Sequence, residues 1–167
     1  VPIVSDTDMR TLVLLRTRAH SPSVERVINA FSRLGEHGGC WLALGGAGAL
    51  LSRSEPDRRR RWLRGAGIVA GAYAVNQGLK LVFRRPRPEL PDLPPLTATV
   101  SRLSFPSAHA TTSFAAAWAY RGLAPAAPLY AAAIAFGVSR PYLGVHYPSD
   151  VVVGALLGTV VAEAWPR

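Results

Sequence analysis

Charge falls along this chain in blocks, and the stretches between the blocks are long and apolar. Residues 38–52, 65–79, 122–139 and 151–162 carry no charged side chain, and 108–120 holds only the titratable His109. Runs of this kind predict helices that are apolar on all sides, which belong in a deep core or in a membrane. With its flanks the second run extends over 62–83, and a helix of that extent is about 33 Å long, enough to cross a hydrocarbon core. The other runs are shorter, and their flanks are expected to lengthen each toward about 17 residues, the usual lower limit for a span. Their Gly and Ala content favours close helix packing in lipid. Trp41, Trp62 and Trp165 stand near segment ends, where interfacial anchors are expected. The expected fold is therefore all-α: a polytopic transmembrane helical bundle with about five membrane helices. These are 38–52, 62–83, one starting near Ser107, one over 126–139 that stops at Pro141, and one starting near Ser149. A water-soluble all-α domain would have to hide all five runs in one small core.

The first 35 residues read differently. Segments 6–18 and 23–34 mix Leu, Val, Ile and Phe with Arg10, Arg16, Arg18, Arg26 and Arg33, and Ser21-Pro22-Ser23 between them offers a helix start. They predict N-terminal amphipathic helices lying in the membrane interface over 1–35, ahead of a membrane-embedded core over 36–167. This region is too charged for the apolar stretch of a cleavable signal peptide. Arg58-Arg59-Arg60-Arg61 is expected in a juxtamembrane loop over 53–61, and five prolines within 86–98 predict an extended loop.

Composition sharpens the class. The chain is 49% hydrophobic and 17% charged, with a net charge of +9. The basic residues gather at segment ends, where they meet lipid headgroups and anionic substrates, so no nucleic-acid partner is expected. With an interfacial N-terminus, and with Lys80, Arg87 and Arg140 set aside, they divide equally between the two faces, and the positive-inside rule leaves the sidedness open. A lone Cys40 excludes an internal disulfide and any multi-cysteine metal site.

Alternating loops bring three polar blocks to one face: Lys80 to Pro88, Phe105 to His109, and Ser139 to Asp150. Of 19 Lys and Arg residues only Lys80 is lysine, which suggests a position that wants a compact ammonium rather than a planar fork. Lys80, Arg87 and Arg140 would surround one point with positive charge, as a phosphoryl group requires. Ser107 is placed to cap the helix that follows, whose first-turn N–H groups form an anion site, and His109 lies in the same turn. Asp150, four residues after His146, can hold one imidazole nitrogen and leave the other as a nucleophile. Taken singly, each has a plainer role: Ser107 a structural cap, Arg140-Pro141 a helix end, Asp150 a favourable charge at a helix start.

Together, K-x6-R-P, P-S-x-H and S-R-x5-H-x3-D, in that order, resemble the three-part motif of the type 2 phosphatidic acid phosphatase superfamily over about residues 36–165. One departure is Ala108, where the family usually has glycine; the turn must then have ordinary φ. The resemblance implies a phosphohistidine on His146, oriented by Asp150, with His109 protonating the leaving oxygen. It implies phosphoryl binding by Lys80, Arg87, Ser107 and Arg140, with Ser139 a weaker candidate, and neither metal nor cofactor. The implied partner is a lipid phosphate in a bacterial plasma membrane. Within the family the chain is similar to small actinobacterial members that remove the 5-phosphate from decaprenylphosphoryl-5-phosphoribose, a cell-wall arabinan precursor. Polyprenyl diphosphates, phosphatidylglycerol phosphate and phosphatidic acid are the rival substrates. Glu36 and His37 stand on the same face as candidate head-group contacts. A transporter would need more mid-membrane polar groups than Asn76 and Gln77, and a non-catalytic scaffold would not need the full set of catalytic-type residues.

Overall fold

A computed structural model of the chain describes residues 4–166, and the remaining ends of the two expected segments, 1–3 and 167, lie outside the described residues. Seven helices follow in order: α1 (Asp6–Thr17), α2 (Pro22–Leu34), α3 (Gly39–Leu51), α4 (Pro56–Phe83), α5 (Ala108–Tyr120), α6 (Ala126–Tyr142) and α7 (Pro148–Ala164), with a single 3-10 turn at Glu36–Gly38. Their starts are written in the sequence. Ser5 accepts from the Asp8 N–H, Ser21 accepts from the Val24 N–H, and Pro22, Pro56 and Pro148 each stand in a first turn.

Helix α5 is the centre of the bundle, with α4, α6 and α7 packed around it. Its Ala110, Ala115, Ala116 and Ala117 are fully buried. Gly154 and Gly158 of α7, four apart, face it: a Cβ on Gly154 would sit 2.6 Å from the Ser107 carbonyl oxygen, and one on Gly158 would strike the Thr111 backbone. Small residues on both helices thus let the two backbones approach closely.

All five expected core helices form; α6 and α7 reach the expected length, and α3 and α5 fall short of it. Helices α3 and α5 have 13 residues each, and α6 and α7 have 17 each. A 13-residue helix is about 20 Å long, well short of a hydrocarbon core of about 30 Å. The flanks do not extend α3 and α5 because left-handed Gly38 starts α3 abruptly and a turn at Arg121-Gly122 ends α5. Helix α4 has 28 residues but carries Arg58 to Arg61 in its opening turns, where a loop was expected; Pro56 and Asp57 start the helix early, and Asp57 pairs with Arg60. Among the described residues no helix is both long and apolar enough to cross a membrane.

Three local readings also change. Helix α6 continues through Pro141 to Tyr142, since a proline in the last turn sacrifices only one helical bond. The 84–107 connection doubles back on itself: the Arg87 N–H donates to the Arg102 carbonyl and the Ser104 N–H to the Arg85 carbonyl. Trp41 and Trp62 are buried core residues rather than interfacial anchors. The Trp41 Nε1–H finds the Ser113 hydroxyl at 2.9 Å, and Trp62 packs on Tyr120. Helices α1 and α2 do not stand apart from the bundle. They pack on α6 and α7 and contribute Leu12, Asp8, Arg16 and Ser32 to its interior.

Candidate active site

The last turn of α4, the returning loop, the first turn of α5, the end of α6 and the α6–α7 connection meet around a partly open cavity of about 120 Å³. Lys80, Arg87, His109, Arg140 and His146 line it, joined on one side by Glu36, His37, Tyr73 and Gln77. Ala108 lies on its wall as the first residue of α5, and its φ is negative, as a side chain there demands.

His146 sits in the short connection before α7 and is buried. Its Nδ1 lies 3.3 Å from the Asp150 carboxylate, and the Arg87 guanidinium donates to its Nε2 at 3.1 Å. Arginine can only donate, so Nε2 must accept, and the proton therefore resides on Nδ1. Burial, followed by the charges of Arg87, Lys80 and Arg140, holds this imidazole well below its usual range. The ring is thus neutral at physiological pH, with a lone pair directed at the arginine that would share its substrate. Asp150 is fully buried and accepts from the Tyr147 N–H at 2.9 Å and from Arg85 at 2.7 Å, so its carboxylate is fixed before it meets the imidazole.

The cations are held by backbone. The Lys80 ammonium donates to the Leu103 and Ser104 carbonyls at 3.1 and 3.0 Å, which leaves one of its three protons for the cavity. The Arg87 guanidinium donates to the Ser101 carbonyl at 2.7 Å and the Val145 carbonyl at 2.6 Å. Burial lowers its pKa to about 10, so it stays cationic at neutral pH. Arg140 donates to the Ser32 hydroxyl at 2.5 Å, while its Nε is buried without a partner among the described residues. Ser107 occupies the N-cap position of α5 but makes no capping bond; its buried hydroxyl also lacks a partner there. Buried polar groups are rarely left orphaned; of the six such atoms among the described residues these two belong to motif residues, and of the two only Arg140 lines the cavity.

His109 is oriented by α2. Its Nε2 lies 3.0 Å from the Ser32 carbonyl, which can only accept, so Nε2 carries a proton and Nδ1 remains for proton exchange. The same Ser32 meets Arg140 through its hydroxyl. Ser139 is not brought to the cavity: its hydroxyl lies 2.7 Å from the Phe136 carbonyl and 3.1 Å from the Ser32 hydroxyl, turned back into the α2–α6 contact. Glu36 and His37 do line the cavity, and the His37 Nδ1 lies 2.7 Å from the Tyr73 hydroxyl. Ser32, Arg85, Tyr73 and Gln77 are the members of this site that sequence reading missed. Ser32 lies in an amphipathic helix without a motif. Arg85 was hidden beside the motif arginine, although the buried guanidinium stacks on Tyr147.

The sequence pattern of the PAP2 superfamily matches residues 62–167. The decaprenylphosphoryl-5-phosphoribose phosphatase of Mycolicibacterium smegmatis is 47% identical over 139 residues, covering 81% of this chain and 74% of that protein. The protein of the same name from Mycobacterium tuberculosis is 43% identical over 142 residues, covering 84% and 77%. Two solved structures share the architecture. Aquifex aeolicus LpxE superposes with a TM-score of 0.79 at 25% identity, over 97% of both chains. A transmembrane PAP2-type phosphatidylglycerolphosphate phosphatase from Bacillus subtilis superposes with a TM-score of 0.75 at 24% identity, over 94% of this chain and 81% of that one. Neutral imidazole, fixed cations and fold therefore lead to one place: this chain belongs to the PAP2 superfamily, as a phosphoric monoester hydrolase.

Proposed function

We propose that this enzyme removes the 5-phosphate from decaprenylphosphoryl-5-phosphoribose at a membrane surface, through a phosphohistidine on His146. The observation that carries the mechanism is the neutral His146 ring, with its Nε2 lone pair on a cavity lined by Lys80, Arg87 and Arg140. Nε2 attacks phosphorus; the three cations and the Ser107 hydroxyl take up charge on the phosphoryl oxygens as the bond to the ribose oxygen breaks. His109, which takes a proton on Nδ1 once the anionic phosphate offsets the neighbouring cations, delivers that proton to the ribose oxygen. It then takes one from a water that attacks the phosphohistidine, which releases inorganic phosphate and restores His146. Asp150 keeps the nucleophile in the Nδ1–H tautomer throughout.

Two observations support the lipid side of this reading. Val152, Leu156 and Val160 of α7 and Ile134 and Val138 of α6 leave large apolar side chains exposed in helical rows, an outer surface suited to lipid. Glu36, His37, Tyr73 and Gln77 form a polar wall beside the phosphate donors, where a sugar head group would lie. The substrate itself is taken from the named relatives. The reading is tested by phosphate release from decaprenylphosphoryl-5-phosphoribose against a polyprenyl diphosphate and phosphatidylglycerol phosphate, presented in identical mixed micelles. We expect kcat/KM to favour the phosphoribose lipid by at least about 10-fold, or 1.4 kcal/mol. A preference for either rival would reassign the substrate and leave the chemistry standing.

A further inference from the structure

The carboxylate that orients the nucleophile is held by a buried cation, and that cation is held by the N-terminal helix. Arg85 is only 1% exposed. Its Nη1 donates to Asp150 at 2.7 Å and to the Ser149 hydroxyl at 2.8 Å, and its Nη2 donates to Asp8 of α1 at 2.9 Å. The guanidinium lies 4.3 Å from the centre of the Tyr147 ring. Asp8 accepts in addition from the Ser149 N–H at 2.9 Å and the Ser149 hydroxyl at 2.6 Å. Burial raises the Asp8 carboxyl, but the bonds from Ser149 and Arg85 outweigh it and hold the group below its usual value.

We propose that Asp8 is a positioning residue for catalysis, acting through Arg85 on Asp150 and so on the His146 ring. This rests on His146 being the nucleophile. Asp8 lies outside the family match over residues 62–167, so the first helix supplies a part that the motif does not contain. The His146 Nδ1 to Asp150 contact, at 3.3 Å, is the longest link in the chain. The ring's orientation therefore depends on where the carboxylate is set, and a guanidinium held between Asp150 and Asp8 helps to set it. Without a charge at residue 8 the Arg85 fork loses one of its two acid partners. A buried cation with one partner missing turns toward the other, drawing Asp150 away from the imidazole. The ground-state affinity for a phosphate held by Lys80, Arg87 and Arg140 should hardly change. The loss should fall on the chemical step.

The test uses the full chain in detergent micelles and measures KM and the single-turnover rate of phosphoenzyme formation for four proteins: wild type, D8N, L12A and H146A. Leu12 is a fully buried residue of α1, so L12A loosens the docking of that helix while leaving its carboxylate. We expect D8N to slow phosphoenzyme formation about 10- to 100-fold, as loss of an outer hydrogen-bond partner does elsewhere. Its KM should stay within about 3-fold of wild type. L12A should lower thermal stability and leave the phosphorylation rate of the folded protein near wild type. Wild-type phosphorylation in D8N would overturn the proposal, and equal slowing in D8N and L12A would reduce Asp8 to a docking contact. Should D8N fail to fold, D8E keeps the charge but displaces it. Slower phosphorylation at unchanged KM in D8E would then support the role, and an unchanged rate would overturn it. H146A distinguishes the two levels: an active H146A removes the nucleophile itself, whereas an inactive H146A with normal D8N removes only the positioning role.

Discussion

Lys80 is held between two backbone carbonyls, and that geometry accounts for its being a lysine in a chain otherwise committed to arginine. An ammonium fits between the Leu103 and Ser104 oxygens and still directs a proton to the cavity. A guanidinium is planar and wider, and at a buried site it cannot satisfy both carbonyls from the same point. We expect K80R to lower kcat/KM by at least about 10-fold despite keeping the charge, a loss of about 1.4 kcal/mol; wild-type activity would show that charge alone matters there. His146 gives a second test. Burial and three neighbouring cations depress its pKa, so the neutral, nucleophilic form persists as pH falls through the ordinary imidazole value of about 6.5. Protonation, and with it loss of the nucleophile, should begin only well below that value in the free enzyme. Nitrogen-15 NMR of imidazole-labelled protein should show one ring, absent from H146A, whose nitrogens do not titrate between pH 7.5 and 6. A His146 signal with a midpoint near 6.5 would contradict the electrostatic reading. Bound phosphate offsets the cations and should raise the value again, so the acid limb of kcat should lie above that of kcat/KM.

At the level of elements, the α5–α7 contact places Ser107 against Asp150. The Ser107 N–H donates to the Asp150 carbonyl at 3.0 Å, which ties the two helix starts together. Gly158 permits this approach, since a side chain there meets the α5 backbone rather than a flexible group. G158A should cost about 1–3 kcal/mol of stability, the usual range for forcing an atom into a packed core. Thermal unfolding in detergent measures it, and an unchanged midpoint would mean that α7 can shift without loss. The existence of these helices was legible because long uncharged runs leave few alternatives. Their ends were less so: Arg58 to Arg61 look like a loop by charge, yet Pro56 and Asp57 outweigh them and begin a helix. The motif residues were legible because Lys, Arg, His and Asp cluster beside prolines in an otherwise apolar chain. Ser32, Arg85 and Asp8 were not, because a serine in an amphipathic helix, a second arginine beside a motif and an acid in a first turn all have local explanations. Their meaning arises from contacts made across the fold.

For the molecule as a whole, the site draws together side chains from α1 and α2 and from the start of α7. The N-terminal helices bring Asp8 to Arg85 and Ser32 to Arg140 and His109, and α7 brings Asp150. A strongly basic chain with buried cations at its centre suits an anionic substrate, and the exposed apolar rows on α6 and α7 suit a lipid one. Both features would serve a binding protein as well as an enzyme. What distinguishes the proposed mechanism is a covalent bond between His146 and the transferred phosphorus, and that bond can be measured. Wild type and H146A are mixed with substrate labelled in its terminal phosphate, quenched within milliseconds and analysed for protein-bound label. We expect an acid-labile phosphate on His146 in the wild type that forms before inorganic phosphate appears, with none on a folded, inactive H146A. Phosphate release by H146A, or wild-type turnover with no protein-bound label at any time, would contradict the mechanism.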